Sequence, residues 1–518
     1  MKNRLVLAPL LALAAPVMGC SSDAPGAASL PPETMGPIPS RTVTQGGAQD
    51  IGFFRSQVGA GEVPRPDAIE PVGFFAEHAV DLPPADCGDT VCLHANLAVA
   101  PGIDRESNWT MAFVAMNTPV DPRELERPET HVVLAIEDTT RSATVAAHAH
   151  RLLRALTAEL LAGDRVSVVR IGESAQVLAE GLAPSDPALA DAVGGLTATD
   201  ARAALYDGLA RAAQLTDGLE GFGGAHRVVL VTSGVADAGI TDDMRIVALG
   251  EALAGQGTGV SVVGVGEGYR PELAAQISEG GGGSYYYAQD GDDLEEIFRL
   301  EGRTSLFPLA TGFELVVTPS PGYRVGRIYG ARRAWAEEAG AHLASPVLMV
   351  GNRTGAEDVT EGRRGGGGGL FVELIADATS GMGSGAPAFI VTGTWTDAQT
   401  GETVEQSLTV ANGLAPGENP GGMFPHFADP LRGKAFMMLN MYLALRATTE
   451  LYHGGNCPES LGIEPALLAT YEGWQAEYDD PDIDADWALL TALSDNVQSR
   501  CGAVEPAPPN VPMSCFHD

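Results

Sequence analysis

Between His131 and about Phe298, four apolar runs punctuate the chain: Val132–Ile136, Val166–Ile171, Val228–Val231 and Val260–Val265. They are rich in Val and Ile with little alternation, as expected of strands buried on both faces. Helical patterns lie between them. Ala146–Leu161 puts Leu152, Leu153, Leu156 and Leu160 on one face, and Ala203–Leu215 follows the same period. Strands alternating with helices predict an α/β fold, a mostly parallel sheet with helices on both faces.

The flanks read differently. Ile51–Arg55 opens a short helical pattern ending near Gly59–Gly61, and Pro64–Asp67 starts another, with Asp67 as its cap. From Leu93 to Met116 apolar residues alternate, as at Trp109, Met111, Phe113 and Ala115, which predicts strands. Leu306–Thr318, Gly322–Tyr329, Leu370–Ala376, Phe389–Trp395 and Val404–Val410 alternate similarly and predict a β-rich domain. Lys434–Leu451 reads as an amphipathic helix, and Pro465–Gln475 and Trp487–Gln498 continue as C-terminal helices.

The start of the chain changes the picture. Lys2 and Arg4 precede the apolar stretch Leu5–Val17, then Val17-Met18-Gly19-Cys20-Ser21-Ser22. That stretch falls short of the ~20 residues of a spanning helix but fits a secretory signal. A small residue before Cys20 resembles the lipobox of bacterial lipoproteins, which implies lipidation of Cys20 after removal of residues 1–19. Ser21, with no Asp in that place, favours the outer membrane, at its periplasmic face or the cell surface. Residues 20–47, rich in Ser, Ala, Gly and Pro, read as a flexible tether.

The 518 residues carry 31 basic and 67 acidic groups, a net charge of −36. Such a surface repels nucleic acid and anionic headgroups, leaving the lipid as the only membrane contact. Export places the cysteines in an oxidising compartment. Cys87 and Cys92 are close enough to close a small loop. Among Cys457, Cys501 and Cys515, the first two flank one helical region and form the expected pair.

Specific motifs then converge. Gly163–Val169 resembles the second strand of a von Willebrand factor type A domain with its preceding turn. Ala203–Leu209 resembles the helix after its third loop, Arg227–Gly234 its fourth strand, and Val262–Gly266 with Gly281–Tyr287 its last two strands. Phe53-Phe54-Arg55, Gly61–Pro64, Asp67–Ile69 and Phe74-Phe75 resemble the leader of bacterial von Willebrand A lipoproteins. The resemblance implies a leader at 48–128, an A domain of Rossmann-like fold at 129–303, a β-rich domain at 304–430, helices at 431–502 and a tail at 503–518.

It also implies a divalent cation at the carboxyl ends of the strands, held by an Asp-x-Ser-x-Ser loop, a Thr and a further Asp. Mg²⁺ needs a near-octahedral shell of hard oxygens. Here the loop reads Ile136-Glu137-Asp138-Thr139-Thr140-Arg141-Ser142. Without a gap, Glu137, Thr139 and Arg141 take the three places. Shifted by one, Asp138, Thr140 and Ser142 take them. Ala203 stands where the Thr is expected, with Thr197 and Thr199 nearby, and Ser233 where the Asp is expected. The site therefore reads as degenerate, with Arg141 positioned to fill the cation's place and pair with Glu137 or Asp138.

Other candidates fade. Asp480, Asp482, Asp484 and Asp486 lack the Gly and Glu of a calcium loop and read as a solvated turn. His148 and His150 face different ways on a helix. Gly365–Gly369 lacks the Lys of a phosphate loop, and no hydrolase motif occurs. The expected role is binding a protein partner in the envelope through Glu137, Arg141 and their loop, without cofactor or catalysis. The alternatives are a Mg²⁺- or Ca²⁺-dependent adhesin or receptor using the same face and, more remotely, an envelope hydrolase.

Overall fold

A computed structural model describes residues 41–47, 49–103, 108–122, 127–304, 308–351, 368–376, 385–412, 429–475 and 480–510. The signal, Cys20, Cys515 and residues 365–367 of the glycine run lie outside these described residues. The described residues begin with β1 (Arg41–Gln45), α1 (Gly52–Gly59), α2 (Pro71–Ala76), β2 (Cys92–Pro101) and β3 (Asn108–Thr118). Next come β4 (Thr130–Glu137), α3 (Ala143–Thr157), β5 (Arg165–Ile171), β6 (Ala175–Leu182), α4 (Pro187–Gly194) and α5 (Leu205–Gly218). β7 (Ala225–Thr232), α6 (Asp243–Gly255), β8 (Thr258–Val265), α7 (Pro271–Gly280), β9 (Gly282–Ala288) and α8 (Gly291–Thr304) complete that region. Then follow β10 (Ala310–Pro319), β11 (Tyr323–Tyr329), β12 (Ala334–Glu337), β13 (Gly340–Val350), β14 (Gly369–Ala376), β15 (Pro387–Asp397) and β16 (Thr403–Ala411). The last elements are α9 (Pro430–His453), α10 (Cys457–Gln475) and α11 (Pro481–Cys501).

One sheet has the order β6-β5-β4-β7-β8-β9. All its pairs are parallel except the edge pair β5–β6. Every residue of β4 and β8 is buried, which explains why their sequences show no alternation. Val132, Leu134 and Ile136 pack against α3, α4 and α8 on one side. Val133 and Ala135 join the core of α5, α6 and α7 on the other. Each fully buried Val, Ile or Leu contributes ~1.5–3 kcal/mol, so the two faces together hold the sheet.

The second sheet is antiparallel, in the order β11-β14-β3-β1-β13-β10-β15-β16, with β2 on β3 and β12 on β13. Strands from both flanks of the first sheet therefore share it. Gln406 of β16 reaches β2, accepting from Leu93 N–H at 3.0 Å and donating to the Val91 carbonyl at 2.8 Å, so the sheet curls back on itself. Its core holds Val43, Leu315, Leu343, Phe389 and Trp395. The disulfide Cys87–Cys92 closes the loop entering β2. Cys457–Cys501 ties the start of α10 to the end of α11.

Several sequence expectations need correction. Arg41–Gln45 is not tether but a strand paired with both β3 and β13. Asp67 does not cap a helix: it lies inside the 3₁₀ turn Pro66–Ala68, whose N-cap position is Arg65 with no side-chain cap. The helix containing Pro465 begins earlier, at Cys457. α9 is not amphipathic, because nearly every residue from Gly433 to Leu451 is buried. It packs against α10, α11, β2, β3, the turn Pro66–Ala68 and the leader rings Phe74 and Phe75.

The aspartate run is likewise not a solvated turn. Asp480 caps α11 by accepting from the Asp482 and Ile483 amides, and Asp482 and Asp486 are buried. Asp486 Oδ2 lies 2.6 Å from His78 Nε2, and Lys434 Nζ lies 2.7 Å from both Asp480 and Asp482. The aspartates face partners that sequence spacing alone does not reveal.

Candidate functional site

From β4 the chain turns to β5 on one side, and it later returns at β7 on the other. The crossover direction thus reverses between β4 and β7, and open α/β sheets place their ligand crevice at the carboxyl ends of such a pair. Glu137 ends β4 there; Thr232 ends β7 and Ser233 follows.

The Glu137 side chain is buried among donors. Thr139 Oγ1 donates to Oε1 at 2.6 Å, and Thr232 Oγ1 donates to Oε2 at 2.7 Å. The Ser233 amide donates to Oε2 at 2.8 Å, and its hydroxyl lies 3.0 and 3.1 Å from the two oxygens. Buried carboxylates need such saturation, since a lost donor costs the desolvation of the group. Ser142 Oγ donates to the Glu137 carbonyl at 2.6 Å and closes the turn Thr140–Ser142 that carries Arg141.

Arg141 spans the crevice. Its Nε is 3.6 Å from Glu137 Oε1. Its Nη1 and Nη2 donate to Asp237 Oδ2 and Oδ1 at 3.0 and 3.2 Å, the two-pronged geometry a guanidinium favours. The Ala203 amide also donates to Asp237 Oδ1, at 2.6 Å. Burial works to raise the Asp237 pKa, but the Ala203 amide and Arg141 outweigh it and hold the carboxyl below its ordinary range. Arg141 and Asp237 side chains remain 32% and 33% exposed. Gly266, at φ +86 after β8, lets that loop close on Arg141: a Cβ there would sit 2.2 Å from the Arg141 carbonyl oxygen.

The shifted register fails on this geometry. Asp138 faces away, its Oδ1 accepting from the Thr197 and Ala198 amides at 2.9 and 2.7 Å. Its Oδ2 is 2.7 Å from Arg170 Nε on β5. Thr140 is exposed, and the Ser142 hydroxyl is spent on the turn. Asp138, Thr140 and Ser142 therefore do not converge. Asp138 instead anchors the 197–199 loop, where Thr199 Oγ1 donates to the Asp138 carbonyl at 3.0 Å.

Glu137, Thr139, Arg141 and Ser233 do converge. Ala203 lies at the same crevice and contributes only its backbone. Asp237 is the member that sequence reasoning missed, because the expected place was directly after β7, at Ser233. Gly234, at φ +73, starts the turn that brings Asp237 back over the strand ends. This donor set does not fit a divalent ion. Glu137 has its oxygens committed to hydrogens, and the cationic head of Arg141 lies between the two carboxylates. Among the described residues no group of three or more His, Cys, Asp or Glu is placed to hold a metal.

No family model and no curated protein matches the sequence. Among solved structures, the chain is similar to a von Willebrand factor type A protein from Catenulispora acidiphila, at 15% identity over 78% of this chain and 96% of that one, with a TM-score of 0.48. It is also similar to the ArnB paralog VWA2 from Sulfolobus acidocaldarius, at 13% identity over 80% and 99% of the two chains, TM-score 0.42. A conserved hypothetical protein, BatB from Bacteroides thetaiotaomicron, matches at 17% identity over 33% and 96%, TM-score 0.29. By the strand order, antiparallel edge and helix placement described above, β4 to α8 form an α/β domain of von Willebrand A type, with an additional antiparallel β-rich sheet beside it.

Proposed function

We propose that this protein is a lipid-anchored envelope protein, held through Cys20 at the outer membrane, that binds a protein partner through the loop face at the carboxyl ends of β4 and β7. It acts by docking, not by catalysis, and does so without a bound metal. The observation that carries this reading is the Arg141 bridge between Glu137 and Asp237, which supplies a fixed cation where an A-type domain would otherwise need a mobile one.

Three measurements test it. Thermal melting of the protein should stay put on adding Mg²⁺, Ca²⁺ or EDTA; a rise with either ion would favour the metal-dependent adhesin. A photo-crosslinking residue at exposed Thr140 should trap one discrete envelope protein, and the adduct should fade in Arg141→Ala. An adduct that persists unchanged would remove this face as the docking site. Cys20→Ala should release the protein from the membrane fraction.

A further inference from the structure

The loop face carries one further inference, which rests on its reading as a docking face: the sign of the partner. Glu137 and Asp237 bring two carboxylates to the crevice and Arg141 brings one guanidinium, so one unit of negative charge is left over. The other arginines of the face are already engaged. Arg170 pairs with Asp138 and Arg270 with Asp243, Arg245 lies over the Tyr206 ring, and Arg202, 3.7 Å from Glu173, also pulls on Asp237 from a distance. Asp200 lies in the loop before α5, Asp207 in the first turn of α5 and Asp242 at the N-cap of α6.

The excess charge also has an open acceptor. Asp237 Oδ1 takes the Ala203 amide and Arg141 Nη2, whereas among the described residues Oδ2 takes Arg141 Nη1 alone. A carboxylate oxygen accepts about two hydrogens, so Oδ2 has room for another donor. Met244 stands in the first turn of α6, which leaves this same loop, and is 70% exposed. A polarizable, adaptable thioether is suited to the aliphatic stem of an incoming side chain.

We infer that this face takes a basic side chain, Arg or Lys, from its protein partner, with Asp237 Oδ2 as the acceptor. A partner carboxylate, which a divalent cation would have attracted, is repelled here.

The probes are three fluorescent octapeptides alternating Ser with Arg, Lys or Glu, titrated by anisotropy into the mature protein at 0.15 M salt. The Arg and Lys peptides should bind and the Glu peptide should not. Asp237→Asn should weaken the Arg peptide by about fivefold, near the upper end for an exposed ion pair. Glu405→Gln, on exposed β16 of the other sheet, controls for general attraction to an acidic protein and should change nothing. Binding of the Glu peptide, no binding of the basic ones, or equal weakening by both variants would each overturn the inference. A Thr140 adduct that survives beside Glu-peptide binding would leave the docking face standing with its sign reversed, and one that survives the other two results would leave the face standing without this charge preference; loss of the adduct alone would indict the face itself.

Discussion

The two ends of strands β4 and β7 bury polar side chains by opposite means. At the carboxyl ends, one carboxylate, Glu137, is ringed by three hydroxyls and an amide, with Arg141 behind them. At the amino ends, His131 and His226 bring their rings to 5.5 Å, edge to face, with Phe222 beside both. Among the described residues the one polar partner of the His131 ring is Ser167 Oγ, 2.8 Å from Nε2. Burial, helped by His226, pushes His131 down to about 4. Burial also lowers His226, against the opposing pull of Asp217. A charge stays buried where donors outnumber it, and a base stays neutral where its neighbour is another base.

The largest expected effect is at the histidine end. A folded-state pKa below the unfolded value means that the unfolded chain binds the proton first as pH falls. Stability is therefore intact above about pH 6.5 and is lost as pH drops toward 4, by about 3 kcal/mol for His131 alone. Melting curves between pH 7 and 4 should show that slope, and His131→Phe should flatten it. A variant that loses stability with acid as steeply as the parent would show that the two ends do not differ in this way.

The carboxylate end should respond to a change of charge without a change of shape. Glu137→Gln keeps the volume but puts an NH₂ among groups that all donate. The hydroxyls of Thr139, Thr232 and Ser233 can rotate, yet the Ser233 amide cannot. The expected cost is about 2 kcal/mol, read as a lower denaturant midpoint at unchanged slope. A neutral outcome would mean that the ring of donors is dispensable and that the contrast between the ends is only one of residue type.

How much of this was readable beforehand follows from range. The buried parallel strands announced themselves, because Val-Ile runs such as Val132–Ile136 record burial on both faces directly. The place of Glu137 and Arg141 at the end of that strand was equally plain from the loop sequence. Which register faced the crevice was not. Asp138 and Glu137 are adjacent, and only Arg170 and the 197–198 amides, all distant in sequence, turn Asp138 away. Asp237 was hidden for a related reason, since its approach depends on a glycine turn and not on its spacing from β7. Asp482 and Asp486 misled in the same sense: their partners Lys434 and His78 lie on other elements, so a run of carboxylates resembled a solvated one. Arg41–Gln45, too short and polar to show a period, joins a sheet whose other strands supply its neighbours.

The smallest effect gives the closest test of what Arg141 is doing. Arg141→Ser removes the guanidinium and leaves Glu137 and Asp237 facing a hydroxyl in its place, with Thr139 and Ser233 alongside. Without ions the variant should lose about 1 kcal/mol, the scale of a half-exposed ion pair. The same change opens an oxygen-lined space between two carboxylates, suited to a hard divalent cation. At 10 mM Mg²⁺ and a dissociation constant of about 1 mM, binding would return about 1.4 kcal/mol and raise the melting temperature of the variant by a few degrees. The parent should show no such rise. If Mg²⁺ leaves both unmoved, the hydrogen bonds around Glu137 exclude a cation by themselves, and Arg141 is a bridge between two loops that stands in for nothing.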